Sequence, residues 1–368
     1  MSTETRADQA QTPPESPEKS GFSARLSSLG RALLTNRIVL LVVLLALGVI
    51  WMKALDAGGY LSAPYDLDYM ASSLINLVPL AMLALAELLV LVSGRGGIDL
   101  SVGSIVSLAG MMFGFTYGMW GWPLVVAILF TVGFGALCGF VNGFLVAYMG
   151  YPPLITTLAT YYAYLSLALV IHNQQPISSQ PITNLYGLSQ SVQITGLKSI
   201  FPGVPLSVFI VLLPTVVVVW LLMAKTSYGR KLYAVGTNDT AARWVGLDVA
   251  RTRALSYVIA GAIAGLVAIV TVSEFASALP DAGTSGNGMA LPAITMAVLG
   301  GVAITGGLGR VAGVVLASLL IVLLNAGILL AFSGNAGSQY QLVMLGLILV
   351  GAALLNGITM RKYSGSNR

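Results

Sequence analysis

The sequence predicts an all-α, polytopic membrane helical bundle, and three observations carry that prediction. Apolar residues make up 57% of the 368 positions and charged residues only 8%, against roughly 25% charged in an ordinary soluble domain. Too few polar side chains remain to cover a water-facing surface of this size, so lipid is the expected solvent for most of the chain. The apolar runs are long and continuous rather than alternating, which favours helices over the strands of an outer-membrane barrel. Glycine is abundant, at 42 residues, as close helix–helix contact in a membrane requires.

A spanning helix needs about 20 mainly apolar residues. About ten transmembrane helices are read on this basis, at 35–54, 70–93, 100–119, 121–148, 153–172, 204–224, 254–275, 289–306, 310–332 and 338–358. An even number puts both termini on one side, and positive charge is retained in cytoplasmic loops. With the termini inside, 16 of the 18 Lys and Arg residues fall inside and only Lys53 and Lys198 outside. That division predicts a multi-pass protein of a bacterial inner membrane with N- and C-termini cytoplasmic. It also accounts for the net charge of +5 without a nucleic-acid partner.

Residues 1–34 read as a cytoplasmic tail, residues 35–360 as the transmembrane domain, and residues 361–368 as a cytoplasmic C-terminal tail. The first 20 residues are rich in Pro, Glu, Ser and Thr, a composition that favours disorder. Phe22, Leu26, Leu29 and Leu33 then recur at helical spacing with Arg25 and Arg31 between them. They fit either an interfacial helix or a plain linker. The longest external loop, 173–203, carries Pro176, Pro181 and Pro202 and reads as irregular, with room for a short helix and a docking partner.

One cysteine, Cys138, and one histidine, His172, leave no disulfide and no cysteine-rich metal site to expect. No Gly-Lys-Ser/Thr phosphate loop occurs, so ATP hydrolysis is not expected of this chain, and no cofactor is implied. The segment Gly283-Thr284-Ser285-Gly286 with His172 fits a serine-protease pattern on paper. Both parts lie at span ends in polar sequence, where such strings arise easily.

Two segments on the basic side are more specific. Gly94-Arg95-Gly96-Gly97-Ile98-Asp99-Leu100-Ser101-Val102-Gly103 joins the second and third spans. Gly96 and Gly97 permit a tight reversal, and Asp99 or Ser101 can cap the next helix. The loop 225–253 holds six Lys/Arg residues with Asp239 and Asp248. Thr237, Asn238 or Asp239 can start a short helix there and Gly246 can end it, with Ala241, Ala242 and Val245 as its apolar face. A helix this short needs something to pack on, either a partner or the chain's own helices.

These strings resemble the permease subunits of ribose/xylose/arabinose-type ATP-binding-cassette importers. The resemblance rests on Gly97-Ile98-Asp99-Leu100-Ser101-Val102-Gly103-Ser104, Asn142-Gly143, Pro153-Leu154-Ile155-Thr156-Thr157-Leu158, Gly229-Arg230-Lys231, Ala234-Val235-Gly236-Thr237-Asn238 and Gly306-Gly307-Leu308-Gly309-Arg310. It implies a type II importer-like permease that forms the path for a sugar or sugar-like solute. It also implies separate ABC ATPase subunits, a periplasmic or lipid-anchored sugar-binding protein, and a second permease subunit, identical or paralogous. On the resemblance, Gly236, Asn238, Ala241, Ala242 and Gly246 belong to the coupling helix that meets the ATPase, and Gly96, Gly97, Asp99, Ser101 and Gly103 to the signature turn. Where many relatives carry an acidic pair before the eighth span, this chain has Ala290-Leu291-Pro292, which is closer to the autoinducer-2 and rhamnose-like branches.

Within the membrane, Gly135, Gly139 and Gly143 lie four apart, as do Gly261 and Gly265, and read as helix-packing stripes. Thr156, Thr157, Thr160 and Tyr161 on the fifth span and Asn325 on the ninth are candidates for the solute path, against ordinary interhelical hydrogen bonding. Glu87 is the acid most deeply set in an apolar run. It either sits near a membrane face, stays protonated or has a partner, with Arg95 the nearest in topology. It is also the handle for the competing function, an ion-coupled secondary transporter of a small polar solute.

Overall fold

The structure, a computed structural model, describes residues 36–188, 190–192, 203–285, 288–332 and 334–363. The tail over 1–34, with its interfacial segment, lies outside the described residues. The elements are α1 Arg37–Ala57, α2 Leu67–Ser73, α3 Leu77–Val92, α4 Val102–Phe113, α5 Leu124–Ala147, α6 Pro153–Val170, α7 Gln180–Asn184, α8 Leu213–Lys225, α9 Ser227–Thr237, α10 Asp239–Trp244, α11 Val249–Phe275, α12 Ala290–Leu299, α13 Val311–Ala331 and α14 Asn335–Tyr363. A short antiparallel pair, β1 Ser191–Val192 and β2 Val204–Pro205, closes the long loop at one end of the bundle.

Eight described helices are long and apolar enough to cross a bilayer, counting α4 with its π-helical extension Gly114–Met119 and α8 with Val208–Leu212. The pair α2 and α3, bent by 50° at residues 74–76, supplies a ninth. The expected eighth span over 289–306 is not a full helix. α12 has only 10 residues and, at 1.5 Å per residue, is about 15 Å long, half of a bilayer core of about 30 Å. Gly300 and Gly301 end it, the latter at φ 91°. The chain before it, described over 276–285, is irregular and held by neighbours instead of by its own helix. Ile177 and Ala278 exchange backbone hydrogen bonds of 3.0 and 2.9 Å, and the Gly283 amide donates to Ser107 Oγ at 3.0 Å. Buried non-helical backbone is tolerated at membrane depth only with such partners.

α3, α4, α11, α12 and α13 form the buried centre, and α1, α5, α6, α8 and α14 surround it with exposed Leu, Val, Ile and Phe rows suited to lipid. The closest pair is α5 against α11. A methyl at Gly143 would lie 2.7 Å from the Ala254 carbonyl oxygen, and one at Gly265 would lie 2.7 Å from that of Thr131. Methyls at Gly135 and Gly139 would collide with the carbonyl oxygens of Gly261 and Tyr257. Both glycine stripes are therefore spent on packing within this chain.

Candidate functional site

The basic end of the bundle carries the two segments that the sequence singled out. α3 ends at Val92, and the chain reverses through Gly94, Arg95 and Gly96, all in left-handed conformations with φ of 85°, 57° and 64°. It then folds back into the bundle. The Asp99 amide reaches Glu87 Oε2 at 3.4 Å, so the loop climbs alongside the last turns of α3. Asp99 Oδ1 accepts from the Ser101 amide at 2.9 Å and from Ser101 Oγ at 2.6 Å, and Asn142 Nδ2 donates to Ser101 Oγ at 2.7 Å. Asp99 thus fixes the turn at Ser101 that leads into α4, and Asn142 ties that serine to α5, which accounts for the acid, the serine and the asparagine of the Asn-Gly motif together. Gly103 sits against the Gly283 carbonyl, where a methyl would come within 2.5 Å of the oxygen. The start of α4 and the approach to the half-length α12 meet there inside the bundle.

Arg95 is exposed and is not the partner of Glu87. Glu87 is fully buried, with Oε1 unpaired, beside Asp99 Oδ2 and Asn142 Oδ1, which are likewise buried without hydrogen-bond partners. The sequence could not show this cluster, because it exists only through the fold-back of residues 97–101.

The second segment lies next to the first. Gly94, Gly236, Gly306 and Gly307 form one junction of three chain segments. The Gly307 amide donates to the Val92 carbonyl at 3.1 Å. A methyl at Gly236 would lie 2.6 Å from the Gly307 nitrogen, and one at Gly94 3.0 Å from the Gly236 Cα. Arg253 is the strut beneath it. Only 1% exposed, it donates to the Ser93 carbonyl from Nε at 3.3 Å and Nη2 at 3.0 Å, and to Asp239 Oδ1 from Nη2 at 2.6 Å. Asp239 is the first residue of α10, so the short helix is tied through Arg253 to the end of α3.

α10 itself is capped by Asn238, whose Oδ1 accepts from the Ala241 amide at 3.0 Å. Gly246, at φ 78° with open space around it, ends the turn that follows. Ala242 is buried against Val235, Leu247 and Val249. The outward face is Ala241 with Trp244 and Val245, which are 85% and 75% exposed. Of the residues expected to meet a partner, Gly236 and Ala242 instead pack inside the chain. Asn238 shapes the helix, and Ala241 and Gly246 stay accessible. Trp244 was the signal passed over, because a six-residue helix has too few positions to show which side faces out.

The threonine hydroxyls of α6 are engaged with backbone carbonyls. Thr156 Oγ1 donates to the Pro152 carbonyl at 2.9 Å, and Thr160 Oγ1 to those of Thr156 and Thr157. Thr157 Oγ1 reaches the Ile98 carbonyl at 3.1 Å, fastening α6 to the signature turn. Tyr161 packs edge-on against Tyr162. Asn325 is different, since it lines a cavity of about 440 Å³ between the α2–α3 bend, the start of α12, α13 and α14. His172 Nδ1 is hydrogen-bonded to the Gln175 carbonyl at 2.9 Å, and its ring meets Phe115. No hydrogen bond joins it to Ser285. Among the described residues no group of three or more His, Cys, Asp or Glu could hold a metal ion.

Comparison with known proteins adds a family to this geometry. The family described as branched-chain amino acid transport system, permease component, matches residues 69–353. The chain belongs to this permease family. Relatives include the autoinducer 2 import system permease protein LsrD of Yersinia pseudotuberculosis serotype O:1b (strain IP 31758), 34% identical over 78% of this chain and 84% of that protein. The protein of the same name from Photorhabdus luminescens is 33% identical over 81% and 86%. No solved structure gives a significant match. The permease is thus the membrane-spanning component of an ATP-binding-cassette transport system, as the signature turn and the loop 225–253 implied. The matched stretch contains the fold-back turn, the glycine junction, α10 and the half-length α12, so what the sequence resembles is also what the structure packs together at the basic end.

Proposed function

We propose that the permease forms the path of an importer for a sugar or sugar-like solute and receives the stroke of separate ATPase subunits through the outward face of α10. The observation that carries this reading is Trp244 beside Val245, both largely exposed at the basic end, on a helix rigidly tied inward by Ala242 and Asp239. A large apolar pair on a water-facing surface is characteristic of a contact site, and a tryptophan in a partner's groove is a common energetic anchor. A push on α10 would pass through Asp239 and Arg253 to the end of α3, and through the glycine junction to the loop before α13. The packed bundle would then move as bodies rather than deform.

In this reading the basic end is cytoplasmic, with both termini on that side of a bacterial inner membrane. A periplasmic or lipid-anchored sugar-binding protein docks at the opposite end, over the loop that follows α6. A second permease subunit completes the path. The relatives named for autoinducer 2 import support a small solute of this class.

The test is Trp244→Ala in the assembled importer. Co-purification of the ATPase with the tagged permease should fall by tenfold or more, which is about 1.4 kcal/mol. Membrane insertion and thermal stability should be unchanged, because the indole has little of its own chain to leave. Retention of the ATPase at the unaltered level would remove α10 from the contact.

A further inference from the structure

The cavity beside Asn325 has a chemical bias. Its polar lining is Tyr69, Ser72, Ser73, Asn76, Asn325 and Gln341, with no Lys, Arg, Asp, Glu or His among the lining residues. Four of these side chains each commit one donor to the chain itself. Tyr69 Oη donates to the Ala326 carbonyl at 3.0 Å, Ser72 Oγ to that of Asp68 at 2.8 Å and Ser73 Oγ to that of Met70 at 2.7 Å. Gln341 Nε2 donates to the Asn325 carbonyl at 3.0 Å. What these groups still offer is oxygen lone pairs, together with the remaining amide N–H groups of Gln341, Asn325 and Asn76. Asn325 adds an Oδ1 that is buried and has no hydrogen-bond partner. A hydroxyl oxygen keeps its acceptor capacity after its proton is placed, as does the carbonyl end of an amide.

A buried acceptor without a donor is costly, by about 1–3 kcal/mol, so the site favours a guest that brings O–H or N–H groups. A guest with a full charge would find no counter-charge in the lining, and burying an unpaired charge is more costly still. The apolar remainder, including Leu80 and Val322, suits the C–H face of a ring. The volume lies within the ordinary range for small-molecule sites, roughly 300–1,000 Å³.

We infer that this cavity is a solute-binding subsite of the transport path, selective for neutral polyhydroxylated solutes of monosaccharide size, with Asn325 Oδ1 as its anchoring acceptor. The inference rests on the importer reading above and relocates the path from α6 to the space between α2, α12, α13 and α14. The broken eighth crossing makes room for it, since Gly288 and Pro292 at the start of α12 form part of the wall where a full-length helix would otherwise stand.

The experiment uses membranes carrying the whole importer, with Cys138→Ala to remove the native thiol. Ser72→Cys at the cavity then reports by its rate of maleimide labelling, and Gln180→Cys, exposed outside the spans at the start of α7, serves as control. D-Ribose and xylitol at tens of millimolar should each slow labelling at position 72 several-fold without affecting position 180. L-Leucine and ribose 5-phosphate should not. Adding Asn325→Leu should abolish the protection. Equal labelling with and without the polyols would overturn the assignment, as would protection by leucine or by the phosphate ester, or protection that survives Asn325→Leu. Co-purification of an ATPase with the same preparation is scored separately. Its absence would defeat the importer reading, whereas unprotected labelling with the ATPase present would defeat only the cavity.

Discussion

Replacing Arg253 with Met removes the guanidinium that joins three segments and keeps most of its volume. Two hydrogen bonds to the Ser93 carbonyl are lost, and so is the contact to Asp239. Breaking a fully buried ion pair by deleting one partner costs about 3–5 kcal/mol. Here the Asp239 side chain is 26% exposed and can turn towards water, so that part shrinks. The Ser93 carbonyl cannot follow it, and hydrogen bonds to a charged donor are worth about 1.5–3 kcal/mol. We therefore expect Arg253→Met to lower stability by about 2–4 kcal/mol. The loss should be read as a lower thermal midpoint of the purified importer, and a second readout bears on mechanism. On the coupling proposed above, ATP hydrolysis by the complex should persist while solute uptake falls, because α10 would still meet the ATPase but no longer pull on α3. A double-mutant cycle with Asp239→Asn should show a coupling energy of about 0.5–3 kcal/mol, as for residues in one network. Additive effects, or uptake that tracks hydrolysis in the variant, would refute the role of Arg253 as a strut.

Gly139→Val should destabilise the α5–α11 contact by several kcal/mol and reduce the yield of folded permease, because even a methyl there meets the Tyr257 carbonyl; the check is the monodisperse fraction on size-exclusion chromatography. Glu87→Gln should leave stability within about 1 kcal/mol and uptake intact, since one carboxylate oxygen of Glu87 already lacks a partner. Abolished uptake, together with direct collapse by a protonophore, would instead support the ion-coupled reading. Ser285→Ala should leave transport unchanged, because His172 is engaged with Gln175 rather than with this hydroxyl.

Most crossings were legible because lipid makes a simple demand. A run of about 20 apolar residues has to be a helix, and α1, α5, α6, α11 and α13 follow directly. The eighth crossing was misread for the same reason. Residues 289–306 are apolar enough to span, but Gly300 and Gly301 stop the helix after Leu299, and hydropathy does not register left-handed backbone. The basic-end site was half legible. Asn238 as the start of α10 follows from local chemistry, whereas Asp99 holds the turn at Ser101 and no side chain caps α4. The neighbourhood of Glu87, the contact of Gly236 with Gly307 and the inward turn of Ala242 depend on segments far apart in the chain. A shared motif marks such residues as important without saying whether they face a partner or each other. Likewise the threonine hydroxyls of α6 end on backbone carbonyls, those of Pro152, Thr156, Thr157 and Ile98, whereas Asn325 lines open space.

The half-helical crossing has a consequence for how the chain is made. A ten-residue helix preceded by glycine-rich polar sequence is a poor substrate for the insertion machinery, which sorts segments by their affinity for lipid. Its stabilising contacts, Ser107 and Ile177, have already been synthesised when residues 276–289 emerge. This segment is therefore expected to enter last and sideways, threading into a cradle built by the earlier helices. The α12 region fused alone to a reporter should then fail to integrate.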